Sequence, residues 1–421
     1  MMKVVHLSTT VGVNYRLHCA LRKQGIDSRI LVSGEGNGNG EIIYAGRDRR
    51  QKFQKRTIGR ILDILLRRWY KLSGKMPFSP GIPGADVSAH PAIRDADVIH
   101  LHWICYFQSI ETVKKLIALG KPIVWTCHDS WPFTGGCHVR LGCERFTGNC
   151  GKCPILHSKG GHDLTWHILK KKKKAWRGNQ IYFIAPSRWM RENISKSALF
   201  SGNICRVIAN PIDIGIFRPL DYTEVESRTG YKKNSEKLHI LFGAHSADIP
   251  YKGLSYLLKA LEKLWKEQTE LAGQIVLHII GYSHDEALIL QKYECHYWGF
   301  VDDEDKMAAI YNIADIYVLP SLDDNLPTMI MESLSCETPV VAFNTGGITD
   351  MLEHKKNGYV ATYKDADELE EGILWVYQNN CGNILGKYGR KTVKEKYNFD
   401  KIARQHIAFY EEALRASAEK K

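Results

Sequence analysis

The stretch that most constrains what this chain can fold into runs from Ala314 to Gly347, ADIYVLPSLDDNLPTMIMESLSCETPVVAFNTGG. Asp315 to Leu319 is an apolar run with the length of a buried parallel strand, and Pro320-Ser321 stops it. The acidic loop Asp323-Asp324-Asn325 follows, and Pro327 suits the first turn of a helix over Thr328 to Ser335 whose unpaired amides would face that loop. Glu332 lies about two turns along. A second apolar run, Pro339 to Phe343, ends in Asn344-Thr345-Gly346-Gly347. Strand, loop, helix, strand and glycine turn in that order describe an open α/β sheet, in which ligands bind where strands end and helices begin. Acids, amides and glycines collected there suit an anionic, hydroxyl-rich ligand.

The chain has 421 residues, enough for two domains, with a globular composition of 44% hydrophobic and 25% charged residues. No window reads as a membrane-spanning helix, and MMKVVHLSTT lacks a secretory pattern, so a cytoplasmic protein is expected. Eleven cysteines in a reducing compartment leave metal ligation or burial rather than a disulfide framework. The formal net charge of +12 favours nucleic acid, an anionic membrane face or anionic substrates. Much of it falls between Arg47 and Lys75, where Ile58, Ile61, Leu62, Leu65, Leu66, Trp69 and Tyr70 recur at near-helical spacing. That is the pattern of an interfacial membrane helix, or of a helix packed on its own domain with a solvated basic face. Lys170 to Lys174, with Trp176 and Arg177, could extend the same surface.

In chain order, Lys3 to Leu7 reads as a first strand, and the turn through Gly12 offers a phosphate or sugar contact. Ser28 to Val32, Asp97 to Trp103, Ile123 to Cys127, Ile181 to Pro186 and Cys205 to Ala209 are further strands. His128 and Asp129 stand at the C-terminal end of one of them. Prolines in Asn210-Pro211-Ile212-Asp213 and Phe217-Arg218-Pro219 mark an interdomain crossing. A second series follows, with strands at Leu238 to Phe242, Gln274 to Ile280 and Tyr297 to Val301. Lys252-Gly253 opens a helix, where a lysine and backbone amides can hold a diphosphate. Cys137, Cys143, Cys150 and Cys153 lie in the turn-rich GGCHVRLGCERFTGNCGKCP, which suits a tetrahedral, purely structural zinc site as well as it suits unliganded thiols.

The acidic loop and helix resemble the donor-sugar motif of the retaining family 4 glycosyltransferases, with Asp324 and Glu332 at the two acidic positions and Asp where the family usually carries Glu. HDSWPFTGG resembles that family's N-domain histidine motif, and the HD, SW, TG and cysteine-rich run is similar to a subgroup that builds colanic acid and O-antigen repeat units. The resemblance implies an α/β fold of GT-B type, two doubly wound Rossmann-like domains facing across a cleft. An acceptor-side domain over 1–212, joined by a C-terminal helix over 398–421, and a donor domain over 213–397 are expected.

It further implies transfer of a hexose from a UDP- or GDP-linked sugar, with retention, to a lipid-linked oligosaccharide or other glycan of a bacterial surface polysaccharide, at an anionic inner-membrane surface. Lys252 would stabilise the departing phosphates, with amides around Asn325, Leu326, Pro327 and Thr328 and Gly12. Asp324 would orient the sugar, Glu332 hold the ribose, the backbone at Phe300 and Val301 hold the base, and His128 help place sugar and acceptor. The arginine that usually accompanies the lysine is replaced by Ala244 and His245. The family works without a divalent cation, so no catalytic cofactor is expected. A catalytically weakened membrane scaffold and a zinc-stabilised nucleic-acid binder are the competing classes; no recognition-helix pattern follows the cysteines, so no nucleic-acid partner is expected. A nucleotide-sugar dehydrogenase would need G-x-G-x-x-G after the first strand, which is absent.

Overall fold

The computed structural model describes residues 1–34, 36, 39–46, 61, 64, 76–82, 84–243, 249–281 and 288–419. Apart from residues 61 and 64, the basic stretch from Arg47 to Lys75 lies outside the described residues, as do Ala244 and His245. Two units make up the chain, Met1–Pro211 with Phe399–Lys421, and Ile212–Asn398. Each boundary falls one residue from its expected position.

The first unit holds seven parallel strands, β1 (Lys3–Ser8), β2 (Asp27–Val32), β3 (Ile42–Tyr44), β4 (Val98–Leu101), β5 (Ile123–Thr126), β6 (Tyr182–Ala185) and β7 (Cys205–Val207), in the order β3-β2-β1-β4-β5-β6-β7. The second holds β8 (Leu238–Gly243), β9 (Ile275–Ile280), β10 (Glu294–Gly299), β11 (Ile316–Leu319), β12 (Val340–Phe343) and β13 (Gly358–Ala361), also parallel, in the order β10-β9-β8-β11-β12-β13. The order reverses between β1 and β4 in one sheet and between β8 and β11 in the other. A doubly wound sheet opens its ligand crevice at such a reversal, outside the carboxyl ends of the strands.

Helices cover both faces, which is why the strands read as unbroken apolar runs rather than alternating ones. All six residues of β8, LHILFG, are buried. The C-terminal helix Phe399–Ala418 belongs to the first unit because Ile402, Ala403, Phe409, Tyr410 and Ala413 join Leu17, Leu21 and Tyr182 in one core.

Several elements depart from the sequence reading. β4 and β7 are shorter than expected, β10 starts three residues earlier, and β3 and β13 were not anticipated. The lysine run 170–174 is not a uniformly solvated surface. It lies in the helix Leu164–Trp176, whose turn aligns Lys172 with Ile168, Leu169, Ala175 and Trp176, so Lys172 is completely buried.

Candidate active site

In the second unit, the segments after β8 and β11 meet at the reversal point. Lys252 ends a short turn after β8, and its ammonium donates to Asp324 Oδ2 at 2.8 Å. Burial opposes that charge, but the Asp324 carboxylate outweighs burial and raises the lysine pKa. Two glycines make the approach possible. Gly253 (φ +76) would place a Cβ 1.8 Å from the Pro320 carbonyl oxygen, and Gly346 (φ +58) would place one 1.7 Å from the Asp324 carbonyl oxygen. The Gly347 amide donates to that same carbonyl at 3.2 Å, and the Thr345 hydroxyl to the Leu322 carbonyl at 3.2 Å. The Asn344-to-Gly347 turn therefore clamps the acidic loop from below.

The helix Thr328–Ser335 starts at Pro327, which has no side-chain acceptor to cap the first-turn amides. Asn325 and Leu326, just before it, are buried. Glu332 is 5% exposed and accepts from the Tyr311 hydroxyl at 3.0 Å, so this carboxylate is set by packing behind the loop. Phe300 is exposed and Val301 half-buried, directly after Gly299 (φ +65), whose carbonyl accepts from the Gly281 amide at 2.8 Å. Ser321 was read only as a strand stop. Its buried hydroxyl has no hydrogen-bond partner, a polar loss that functional sites retain more readily than ordinary cores.

In the first unit, half-buried His128 follows β5 and ends a line of imidazoles whose other members, His102 and His6, are buried. His128 Nε2 lies 3.0 Å from His102 Nδ1, and His102 Nε2 lies 2.9 Å from His6 Nδ1, while His6 Nε2 has no partner. Beside them, His100 bonds Tyr410 Oη at 2.8 Å through Nδ1 and Thr126 Oγ1 at 2.7 Å through Nε2. His6, His100 and His102 are the one described trio whose ligand atoms all lie within 4.8 Å of one another, yet most of their nitrogens are already engaged in these bonds. Burial drives the pKa values of His6, His100 and His102 well down, and that of His128 to about 4 against a partial lift from Asp129. At neutral pH His128 is thus a neutral hydrogen-bonding group.

Asp129 points to a second pair. Burial pushes its pKa up, but His138, 2.5 Å away, and the Trp131 amide, at 2.8 Å, together hold it below the usual range. Gly12, expected to offer its amide to a ligand, donates it at 2.9 Å to Asn14 Oδ1, so that turn closes on itself. His6, His102 and His138 went unremarked in the sequence. The pattern His100-Leu101-His102 was the available signal, since alternate positions on a strand share a face.

Cys137, Cys143, Cys150 and Cys153 all line one cavity of about 20 Å³, with Arg140, Arg145 and Phe146. They do not form a trio at ligand spacing. None of the four is in a disulfide.

Two parallel, doubly wound units define a GT-B fold. Sucrose-phosphate synthase from Thermosynechococcus elongatus matches at a TM-score of 0.66 and 16% identity, over 99% of this chain and 100% of that one. Anabaena Alr3699/HepE in complex with UDP and glucose matches at 0.62 and 15% identity, over 97% and 99%. The Glycosyltransferase Family 4 model matches residues 12–215, and the Glycosyl transferases group 1 model residues 226–395. The chain is accordingly a family 4 GT-B glycosyltransferase, a transferase enzyme. WcaC of Escherichia coli K12, assigned to colanic acid biosynthesis as a glycosyl transferase, is 25% identical over 95% of this chain and 96% of its own length. The MMP alpha-(1->4)-mannosyltransferase of Mycolicibacterium hassiacum is 28% identical over 76% of this chain and 71% of its own. Among the described residues no helix is long and apolar enough to cross a membrane.

Proposed function

We propose that this enzyme moves a hexose from a UDP- or GDP-linked donor to a lipid-linked glycan, with retention at the anomeric carbon, in the synthesis of a bacterial surface polysaccharide. The observation that carries the reading is the Lys252–Asp324 pair at 2.8 Å, at the carboxyl ends of β8 and β11. Breaking the sugar–phosphate bond leaves negative charge on the departing diphosphate, and a positioned ammonium with helix-end amides lowers the barrier by meeting that charge. Without donor the ammonium is held by Asp324. A diphosphate entering beside it takes over that charge and frees the carboxylate to accept from sugar hydroxyls, so one pair serves both ends of the bond. Glu332 lies behind the loop, where a ribose hydroxyl would meet a carboxylate already steadied by Tyr311. The backbone at Phe300 and Val301 would receive the base.

His128, neutral at the end of β5, contributes a hydrogen bond to the sugar or the acceptor. No residue of this chain is required to hold a divalent cation in the scheme. Support for the acceptor and its location is chemical: the net charge of +12 draws the protein to an anionic leaflet, and WcaC is assigned to colanic acid biosynthesis. The test is a panel of UDP-, GDP- and ADP-sugars with purified protein and lipid-linked acceptor, read by mass, with the anomeric configuration of the product read by NMR. Transfer with retention from one donor supports the proposal. An inverted product, or no transfer from any donor in the panel, overturns it.

A further inference from the structure

We propose that Cys137, Cys143, Cys150 and Cys153 bind one zinc ion as a closed four-thiolate site that staples the loop between β5 and the helix Leu164–Trp176. The site is independent of which sugar is transferred. All four residues stand on the wall of a single cavity of about 20 Å³, room for one small ion or one water. Four thiolates in a tetrahedral shell leave no open position, which makes the role structural.

Burial pushes the Cys150 thiol up to about 11 and the Cys153 thiol up as well, and backbone amides turned onto both sulfurs work against that burial. The backbone amides of Ile155 and Leu156 are turned onto the Cys153 sulfur, and the Gly135 amide onto Cys150. Amides two and three residues beyond a cysteine, pointing back at its sulfur, stabilise a thiolate and do little for a thiol. The turn that achieves this is locally unfavourable: Cys150 (φ 57) and Lys152 (φ 46) are non-glycine residues in the left-handed region. Between them, Gly151 packs so closely that a Cβ would lie 2.0 Å from the Gly161 carbonyl oxygen. A tether across the loop would hold such a conformation.

Charge gives an independent indication. A zinc ion with four thiolates carries two net negative charges, and two buried basic side chains stand nearby, Arg140 in the cavity wall and Lys172 against Thr134 of that wall. Arg140 is 4% exposed and lies in its wall, donating to Ser130 Oγ at 3.1 Å and to the Cys143 carbonyl at 3.1 Å. Lys172, fully buried, donates to the Trp131 carbonyl and, at 3.0 Å, to the Thr134 carbonyl, with its ammonium 3.7 Å from the centre of the Trp131 ring. Taking a lysine out of water is expensive unless a counter-charge is near, and a dianionic centre supplies one. In a loaded shell with Zn–S about 2.3 Å the sulfurs would stand roughly 3.8 Å apart, whereas no three of them now lie within 4.8 Å of one another, so loading draws side chains inward. The balance is one Zn²⁺ bound and four thiol protons released to solvent. Cys137 immediately precedes His138, so the staple would also hold the partner of Asp129 beside His128.

The full chain, purified without a histidine tag and without added metal, should contain about one zinc per protein by elemental mass spectrometry, the stoichiometry of a closed site. Cys150→Ser and Cys153→Ser should lose most of it, and Cys295→Ser, in the other unit, should keep it. Because the first two variants could fail to fold, the wild-type protein stripped of metal is titrated with Co²⁺. Thiolate-to-cobalt charge transfer and intense tetrahedral bands saturating at one equivalent are expected. A metal-free wild-type protein that develops no such bands overturns the proposal, as does disulfide pairing among these cysteines in thiol-blocked, freshly lysed cells.

Discussion

Both sheets carry a ladder of buried histidines, and the two ladders end differently. In the second unit, His239 Nε2 donates to the Asn234 carbonyl at 2.8 Å, and Trp298 Nε1–H donates to His278 Nδ1 at 3.3 Å. A carbonyl only accepts and an indole N–H only donates, so the bond between them, 3.0 Å from His278 Nε2 to His239 Nδ1, must run from His278 to His239. Every ring nitrogen is used and every tautomer is set. In the first unit the line runs from His6 through His102 to His128. Its inner end, His6 Nε2, meets no partner, and its outer end is the histidine at the carboxyl end of β5. A closed ladder is a structural device. The open one resembles a group kept for use, since an orphaned buried nitrogen costs stability without returning any.

The strand ends sharpen the contrast. The second unit presents an ion pair, Lys252 with Asp324, and the first presents a neutral imidazole. The first should therefore contribute through hydroxyl contacts and the second through charge. Lys252→Ala is expected to lower kcat/KM by about 10²–10³-fold, the scale of losing a group that meets transition-state charge. His128→Asn should cost only about 10-fold, the scale of one hydrogen bond. Equal losses, measured with the same donor and acceptor, would erase the distinction. Next in size, Gly346→Ala forces a Cβ against the Asp324 carbonyl. Displacing that loop should lower turnover by about 10²-fold, while circular dichroism stays native.

The ladders can be tested on stability alone. His278→Leu strands the Trp298 indole N–H and the His239 ring nitrogen and should destabilise the protein by about 1–3 kcal/mol in denaturant unfolding. His6→Leu removes one nitrogen that lacks a partner and strands only His102 Nε2, against two groups stranded by His278→Leu, so its cost should be the smaller of the two, about 1 kcal/mol. The reverse ranking would mean the open ladder is the structural one.

The smallest effect concerns acid. Burial lowers these histidines from an ordinary 6.5, His128 and His406 to about 4 and His278 to about 3. The unfolded chain then takes up protons first as pH falls. Each such group's stability is complete above pH 6.5 and is lost between there and its folded value, at about 1.4 kcal/mol per pH unit. With His6, His100, His102, His128 and His406 all depressed, the first unit should lose hydrogen-exchange protection at a slightly higher pH than the second.

Much of the second unit's site was legible because its backbone needs particular residues. Pro320 stops a strand, Pro327 starts a helix, and Gly346 is required by the approach to the Asp324 carbonyl. The histidine line was not legible, because its members come from β1, β4 and the end of β5, and only sheet order makes those strands neighbours. Gly12 misled for a related reason, as nothing local showed that Asn14 would take its amide.

The residues themselves determined where strands end, where helices begin and which groups stand at those junctions, since proline, glycine and apolar runs act on the backbone within a few positions. Tertiary packing decided which of those groups meet: that Lys252 finds Asp324 across 72 residues, that Lys172 turns inward from a run of lysines, and that four cysteines share one small cavity. Those contacts depend on strand order and helix rotation, which arise only when distant segments compete for the same buried space.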